Sequence, residues 1–477
     1  MKEFQVKEGP FIKDKNNTNK IMRHLLIALL PIILFSFYKN GFIPFLNKKV
    51  TLLGLFYPLI FVFLGSFFTF LIELLYFKFC LKLKKEQLSQ QLKSSFSIFP
   101  GLFLSLVLPI NTPIIILLFG SIIATIIGKL VFGGFGNNVF NPALIGYLFV
   151  IIIYGSMIAT KGGYLNAYEL DAVTTATPLS NIATVEGIGI YSTLVKPYGN
   201  LSNFFLGTIP GALGETSVLL CLLALIYLII FKVIKWKISI IYLSTVFIMT
   251  CIIGSLNNLD IWYPLFQVMS GGLMFGAVFM VTDPVTSPTT PVGQILYGLF
   301  LGILTVVIRY LTPYPEGVMI SILTLNMFVF ILDKIGAKAR FNFNKALISF
   351  ILAWGLILGI SLYIGNSFKA VDNQSDSNFN IIERKEQGED TIYIVTQKGF
   401  SGNIKAEIVI SNNQITNIEV LEFNDSYSSK ITNANYFEKL ILEQSEIEQV
   451  DTVSGATITS TALKTMIINT LKDYRGE

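Results

Sequence analysis

Along the first three quarters of the chain, apolar residues neither alternate nor recur at helical spacing. They run on for about twenty positions at a time, the length a helix needs to cross a bilayer, from Ile21 to about Gly365. Eleven such stretches are predicted as spans, at 22–38, 52–77, 97–111, 113–132, 139–160, 216–233, 238–255, 262–282, 291–309, 317–333 and 346–366. The third and fourth are short and share the break "LPINTP". The first follows a Lys-rich tail with no small-residue cleavage site, so it reads as a retained anchor and not as a removed signal peptide. From about residue 368 the pattern changes. "TIYIVTQ", "KAEIVIS" and "QITNIEVLEF" read as strands, the last two joined by a turn at Asn412 and Asn413. Leu463, Met466, Ile467 and Leu471 then fall on one face of a helix. The predicted fold is a polytopic α-helical membrane protein of about ten spans plus one anchor helix, with a C-terminal α+β extracytoplasmic domain. The predicted divisions are a tail at 1–20, a membrane domain at 21–335, a connector and anchor at 336–367, and the second domain at 368–477, tethered through "NQSDSNFN".

Composition agrees with the pattern, since 53% of the 477 residues are hydrophobic and only 14% charged. Charge adds the orientation. With the N-terminus inside, the inner connections carry eighteen Lys or Arg, in clusters around Lys2–Arg23, Lys78–Lys93, Lys232–Lys237 and Lys334–Lys345. The outer ones carry five: Lys39, Lys48, Lys49, Lys161 and Lys196. Positive charge stays on the cytoplasmic side, so an odd number of spans puts everything after Gly365 outside. The stretch from 368 holds 17 acidic and 10 basic residues, which leaves the membrane part strongly basic in a chain of net charge +5.

Several chemistries are excluded. Cys80, Cys221 and Cys251 are scattered through apolar stretches and form no four-ligand set for zinc or an iron–sulfur cluster. His24 is the single histidine, an interfacial residue by position, so paired haem ligands, a metal triad and a Ser–His–acid hydrolase are all out of reach. No catalytic residue and no metal site is predicted. The basic side lacks an aromatic-rich soluble module, which argues against nucleic acid as a partner. Any electron chemistry would belong to a bound organic cofactor.

One short pattern occurs twice. "DAVTTATPLS" and "DTVSGATITS" share Asp, two residues, Ser or Thr, one residue, Ala, Thr, placed at Asp171, Thr174, Thr177 and at Asp451, Ser454, Ala456, Thr457. A helix is predicted to start near Thr459 or Ser460, so Thr457 lies just before an N-terminus, where unpaired N–H groups and the dipole favour an anion. Gly455 lets the backbone approach a ligand closely. Pro178 suits a first helical position, making Thr177 an N-cap. The plain alternative is two ordinary threonine caps.

Both segments resemble the flavinylation motif at which a flavin transferase esterifies the last threonine with the phosphate of FMN. The stretches "GGFGNNVFNPALIGY", "TATPLS", "GTIPGALGETS", "GGLMFGAVFMVTDPVTSPTT" and "IRYLTPYPEGVMISILTLN" resemble the D subunit of the Rnf ion-translocating electron transport complex and the related B subunit of the sodium-pumping NADH:quinone reductase. Residues 346–477, with "GFSGNIKAEIVI" and "VDTVSGATITS", resemble the G subunit of the same complex. The chain thus looks like D and G subunits fused, although "EFNDSYSSKI" stands where the G family carries an acidic segment rich in Thr, Pro and Gly. The resemblance implies FMN covalently held at Thr177 and Thr457, with Asp171, Thr174, Asp451, Ser454, Gly455 and Ala456 beside it. It also implies riboflavin or another non-covalent flavin, partner subunits that carry iron–sulfur centres or bind NADH or ferredoxin, and a flavin transferase for maturation. The implied function is electron transfer coupled to export of Na⁺ or H⁺ across the cell membrane. Two alternatives stay open: outward electron transfer without pumping, and a flavin-free solute carrier with an extracellular domain.

The loops "GGFGNNVFNP" and "TDPVTSPTTP" put helix breakers at membrane depth, where irregular backbone survives only when buried in protein or lining a cavity. They are read either as structural re-entrant turns or as a second flavin or ion site using Asn138, Asn141, Glu215 and Asp283. Glu73, Lys129, Glu215, Asp283, Arg309 and Asp333 all fall near span ends, where snorkelling to the interface explains them. Spans one to five and six to ten are read as an inverted pair of the kind found in transporters.

Overall fold

The computed structural model of the chain describes residues 17–160, 178–179, 188–371 and 379–475, apart from short gaps at 216, 313–315, 388–389, 400–401, 412–413, 425–427 and several positions between 443 and 455. Asn412 and Asn413, most of the tether and most of the N-terminal tail therefore lie outside the described residues. The chain divides into two compact units, Met1–Val371 and Asp372–Glu477.

The first unit is helical. Helix α1 (Thr18–Phe37) starts where the Asn17 side chain accepts the Lys20 N–H at 2.8 Å, and α2 (Leu52–Leu75) follows. Then come α3 (Phe99–Val107), α4 (Ile114–Thr125), α5 (Pro142–Thr160), α6 (Val218–Ile230) and α7 (Trp236–Leu256). Next are α8 (Trp262–Met269), α9 (Leu273–Phe275), α10 (Pro291–Leu311), α11 (Val318–Asn326), α12 (Val329–Ala339) and α13 (Phe343–Ser367). Among the described residues, five helices are long and apolar enough to cross a membrane, or seven if two bent pairs each count once, and three shorter apolar helices accompany them. Every apolar stretch holds a helix, but not every stretch holds one long enough to cross by itself. The third contains only α3, nine residues and about 14 Å long at 1.5 Å per residue, half the thickness of a hydrocarbon core. The stretches at 262–282 and 317–333 are bent by 65° and 62°.

One order of parts occurs twice. A short helix, a break, a helix that loosens into a π turn, a polar loop and a proline-started helix appear as α3, α4, Ile126–Leu130, residues 131–141 and α5. The same order recurs as α8, α9, Gly276–Met280, residues 281–290 and α10. The loop Gly207–Ser217 reaches both breaks. Gly214 donates its N–H to the Leu106 carbonyl at 2.8 Å, and a Cβ there would stand 2.9 Å from the Phe275 ring.

After α13 the chain returns to the helical unit. The short strands β1 (Ile188–Gly189) and β2 (Ala370–Val371) pair in parallel. The Asn257 side chain donates to the Gly365 carbonyl and accepts the Ala370 N–H, both at 3.0 Å. These bonds explain why the helical unit runs on to Val371, past the end of its last helix.

The second unit is an antiparallel sheet ordered β3 (Asn380–Gln387), β4 (Asp390–Lys398), β5 (Asn403–Ser411), β6 (Gln414–Phe423). Its core joins Tyr393, Val395, Ile404, Ala406, Ile408 and Ile410 to Leu463, Met466, Ile467 and Leu471, the face expected from the sequence. Strand β3 has no counterpart among the strands read from the sequence. The last helix, α14 (Thr457–Arg475), follows the short helices Ser428–Asn433 and Tyr436–Leu442. It begins at Thr457 itself, two residues before the predicted start, because Ser460 closes the turn ahead of it: its Oγ accepts the Val453 N–H at 3.1 Å and donates to the Ala456 carbonyl at 2.9 Å.

Candidate functional site

A cleft of about 590 Å³, its open mouth included, lies within the helical unit. Phe96, Phe99, Pro100 and Phe103 come from the start of α3; Lys129, Phe135, Asn138, Asn141 and Pro142 from the first π turn and its loop; Phe279, Thr282 and Asp283 from the second; Met22 and Leu25 from α1. The breaks and π turns thus bring both polar loops to one place. The rings of Phe96 and Phe135 stand 5.0 Å apart between centroids, and the Lys129 ammonium lies 6.0 Å from the Phe135 centroid.

Polar groups at the cleft also hold its walls. Asn138 donates to the Phe140 carbonyl at 3.1 Å, and Asn141 accepts the Ala143 N–H at 3.1 Å, closing the entry to α5. Asp283 accepts from the Val285 N–H at 3.4 Å and the Thr286 hydroxyl at 2.9 Å. Lys235 ties the same turn by donating to the Ser287 hydroxyl at 2.9 Å. Side chains that brace the turns therefore also line the cavity. The lining is thus an apolar aromatic wall with amide, carboxylate and ammonium groups at its edge.

Of the four residues read as a second flavin or ion site, Asn138, Asn141 and Asp283 meet here. Glu215 does not: its carboxylate lies against Gly272 and near Met319, beside the break between α8 and α9. Sequence reading missed the role of Lys129. Snorkelling is the expectation for Glu73, Lys129 and Arg309, and the structure buries all three. Lys129 is ion-paired with Glu73 and donates to the Ser95 carbonyl at 2.6 Å. Ser95 and Ser97 complete the carboxylate's shell at 2.5 and 2.7 Å. Asp333 instead accepts from the N–H groups of Thr289 and Thr290 at 2.9 and 2.8 Å, anchoring the start of α10. His24 packs inside, its Nδ1 2.7 Å from the Tyr227 hydroxyl.

Asp171, Thr174, Thr177, Asp451, Ser454 and Gly455 lie outside the described residues. Ala456 is buried, and Thr457 is the first residue of α14, where N–H groups have no partner within the helix. Pro178 and Leu179, directly after Thr177, are buried in the helical unit.

Over residues 5–342 the chain matches the NQR2, RnfD, RnfE family, and over residues 399–472 it matches the FMN-binding domain. It is 35% identical over 346 residues to the D subunit of the proton-translocating ferredoxin:NAD(+) oxidoreductase complex of Clostridium ljungdahlii, covering 72% of this chain and 97% of that one. It is 33% identical over 341 residues to the D subunit of the Na(+)-translocating ferredoxin:NAD(+) oxidoreductase complex of Acetobacterium woodii, covering 71% and 96%. It is also 35% identical over 241 residues to the B subunit of the Na(+)-translocating NADH-quinone reductase of Chromohalobacter salexigens, covering 50% and 57%.

Proposed function

The chain belongs to the NQR2, RnfD, RnfE family and ends in an FMN-binding domain, and on that premise we propose that it is the membrane electron-transfer subunit of an Rnf-type ion-translocating oxidoreductase. The observation that carries this is the union, in one polypeptide, of a flavin domain with a region that matches a D subunit over nearly its whole length. Electrons reach it from partner subunits that carry iron–sulfur centres or bind NADH or ferredoxin, and their flow is coupled to export of Na⁺ or H⁺. FMN supplies the electron-carrying chemistry that the side chains lack.

Thr177 and Thr457 are the acceptors for covalent FMN, loaded by a flavin transferase. Thr457 opens a helix, where the N-terminal N–H groups favour a phosphate. A phosphoester keeps the cofactor in place on the outer side of the cell membrane, where no cytosolic pool could replace it. The N-terminus is cytoplasmic and the C-terminal domain extracytoplasmic, in line with the distribution of Lys and Arg. The aromatic cleft would hold a further, non-covalent flavin such as riboflavin, with Asn138, Asn141, Asp283 and Lys129 at its polar edge.

Intact-mass measurement of the chain, co-expressed with a flavin transferase, tests the covalent sites. Two FMN adducts are expected, one lost in each of Thr177→Ala and Thr457→Ala. An unmodified wild-type chain overturns the assignment. Vesicles holding the whole complex test the coupling: electron flow without ion movement would leave an electron carrier that does not pump.

A further inference from the structure

Ion pairs of the second unit, such as Glu383 with Lys385, lie exposed, whereas Glu73 and Lys129 meet in the interior of the helical unit. The surroundings of that pair form a socket. Glu73, at the end of α2, turns Oε2 to the hydroxyls of Ser95 and Ser97, which donate to it at 2.5 and 2.7 Å. Both serines are buried. Ser95 ends the short helix Lys85–Ser95, and Phe96 after it has φ +51°, a left-handed turn that lets the residues on either side reach one carboxylate. The Ser95 carbonyl is thus among the last of that helix, which have no partner within it and favour a cation.

The ammonium that fills the socket comes from another element. Lys129 belongs to the π turn Ile126–Leu130 and reaches Glu73 Oε1 and the Ser95 carbonyl, the latter at 2.6 Å. The same side chain lines the cleft, 6.0 Å from the Phe135 centroid. Lysine carries its charge on a flexible four-carbon stem, so the ammonium can swing from socket to cleft while the backbone stays. It would leave behind a carboxylate oxygen and a helix-end carbonyl, with two hydroxyls beside them. These are hard oxygen donors of the kind small hard cations take, and helix-end carbonyls at membrane depth coordinate Na⁺ in transporters. A buried carboxylate stranded without a cation is strongly destabilising, so departure of the ammonium demands a replacement.

We propose that Glu73, Ser95 and Ser97 form a cation site, that Lys129 fills it as a tethered cation in this structure, and that Na⁺ enters when the ammonium swings into the cleft. Glu73 and the Ser95 carbonyl hold the ion, and Lys129 competes with it. The exchange moves a positive charge toward the cleft, so negative charge arriving there favours uptake at Glu73. That the site loads the exported ion rests on the function proposed above; that it binds Na⁺ does not.

The test replaces the tethered cation with a free one. Full-length Lys129→Met, melted in detergent, is expected to gain at least about 3 °C between about 1 and 100 mM Na⁺ at ionic strength held constant with choline, and to bind one Na⁺ per chain in equilibrium dialysis. The wild type, whose own ammonium holds the site, should gain less than about 1 °C. Glu73→Gln combined with Lys129→Met leaves no charge in the socket and should respond no more than the wild type. Ser97→Ala added to Lys129→Met should raise the Na⁺ needed for the same gain about tenfold. A Lys129→Met chain that melts alike in Na⁺ and choline overturns the site. So does one that is lost even when made and kept in Na⁺ while the double variant stays monodisperse. Should Lys129→Met bind Na⁺ while vesicles holding the whole wild-type complex pass electrons and move no Na⁺, the site stands and its use in export is overturned.

Discussion

Glu73 and Lys129 have been taken out of water together, at 0% and 2% exposure. Such a pair gains its stability only with further hydrogen bonds to both groups, here from the Ser95 and Ser97 hydroxyls to the carboxylate and from the ammonium to the Ser95 carbonyl. Removing one partner strands the other charge. Glu73→Gln should therefore destabilise the protein by about 3–5 kcal/mol, and adding Lys129→Met should restore most of that loss, both read as thermal unfolding in detergent. If the single change is as stable as wild type, the pair does not hold the structure. The pairing was not legible in the sequence. The partners are 56 positions apart, and each sits where a hydropathy profile sees only the end of an apolar run. Asn138, Asn141 and Asp283 were legible because helix breakers within apolar sequence mark irregular backbone, which must find a cavity or a protein wall. Glu215 was singled out as a charge near a span end, and its place against Gly272, at the break between α8 and α9, has no signal in the sequence.

Helices packed without a hydrophobic driving force between them rely on close approach of backbones. Gly65 of α2 and Gly101 of α3 are such a contact: a Cβ on Gly65 would stand 2.6 Å from the Gly101 carbonyl, and one on Gly101 would strike the Gly65 carbonyl. Because the obstacle is backbone, it cannot swing aside. Gly101→Ala should push α3 away and cost about 1–3 kcal/mol. It should also widen the cleft that Phe99 and Phe103 line, readable as a lower melting temperature and weaker retention of added riboflavin. Unchanged values for both would show that α3 tolerates the shift. Breaks and π turns were hidden from sequence reading because length and apolarity are the same in a straight helix and a bent one. Strand β3 was hidden for a different reason. Its described side chains are exposed, with Glu383 and Lys385 paired at 2.8 Å, so it has no buried face to produce alternation. Strand β5, buried at every second position, was plain.

At the scale of the molecule, the sequence displays two units because their compositions differ, one greasy and basic, the other polar and acidic. Where one unit ends is a finer matter. Composition changes as α13 ends, but the last four residues before Asp372 are held by hydrogen bonds that no profile reports. Lys369 sits in that stretch. Its side chain is exposed, yet its carbonyl accepts the Ile188 N–H at 2.8 Å and the next N–H is taken by Asn257. A protease needs several residues of free, extended chain around the bond it cuts. Trypsin should consequently spare the Lys369–Ala370 bond in the folded protein, and Asn257→Ala should open it to digestion. A surface lysine at a domain junction would ordinarily invite a nick; one amide and a two-residue ladder turn this one into a knot that does not slip.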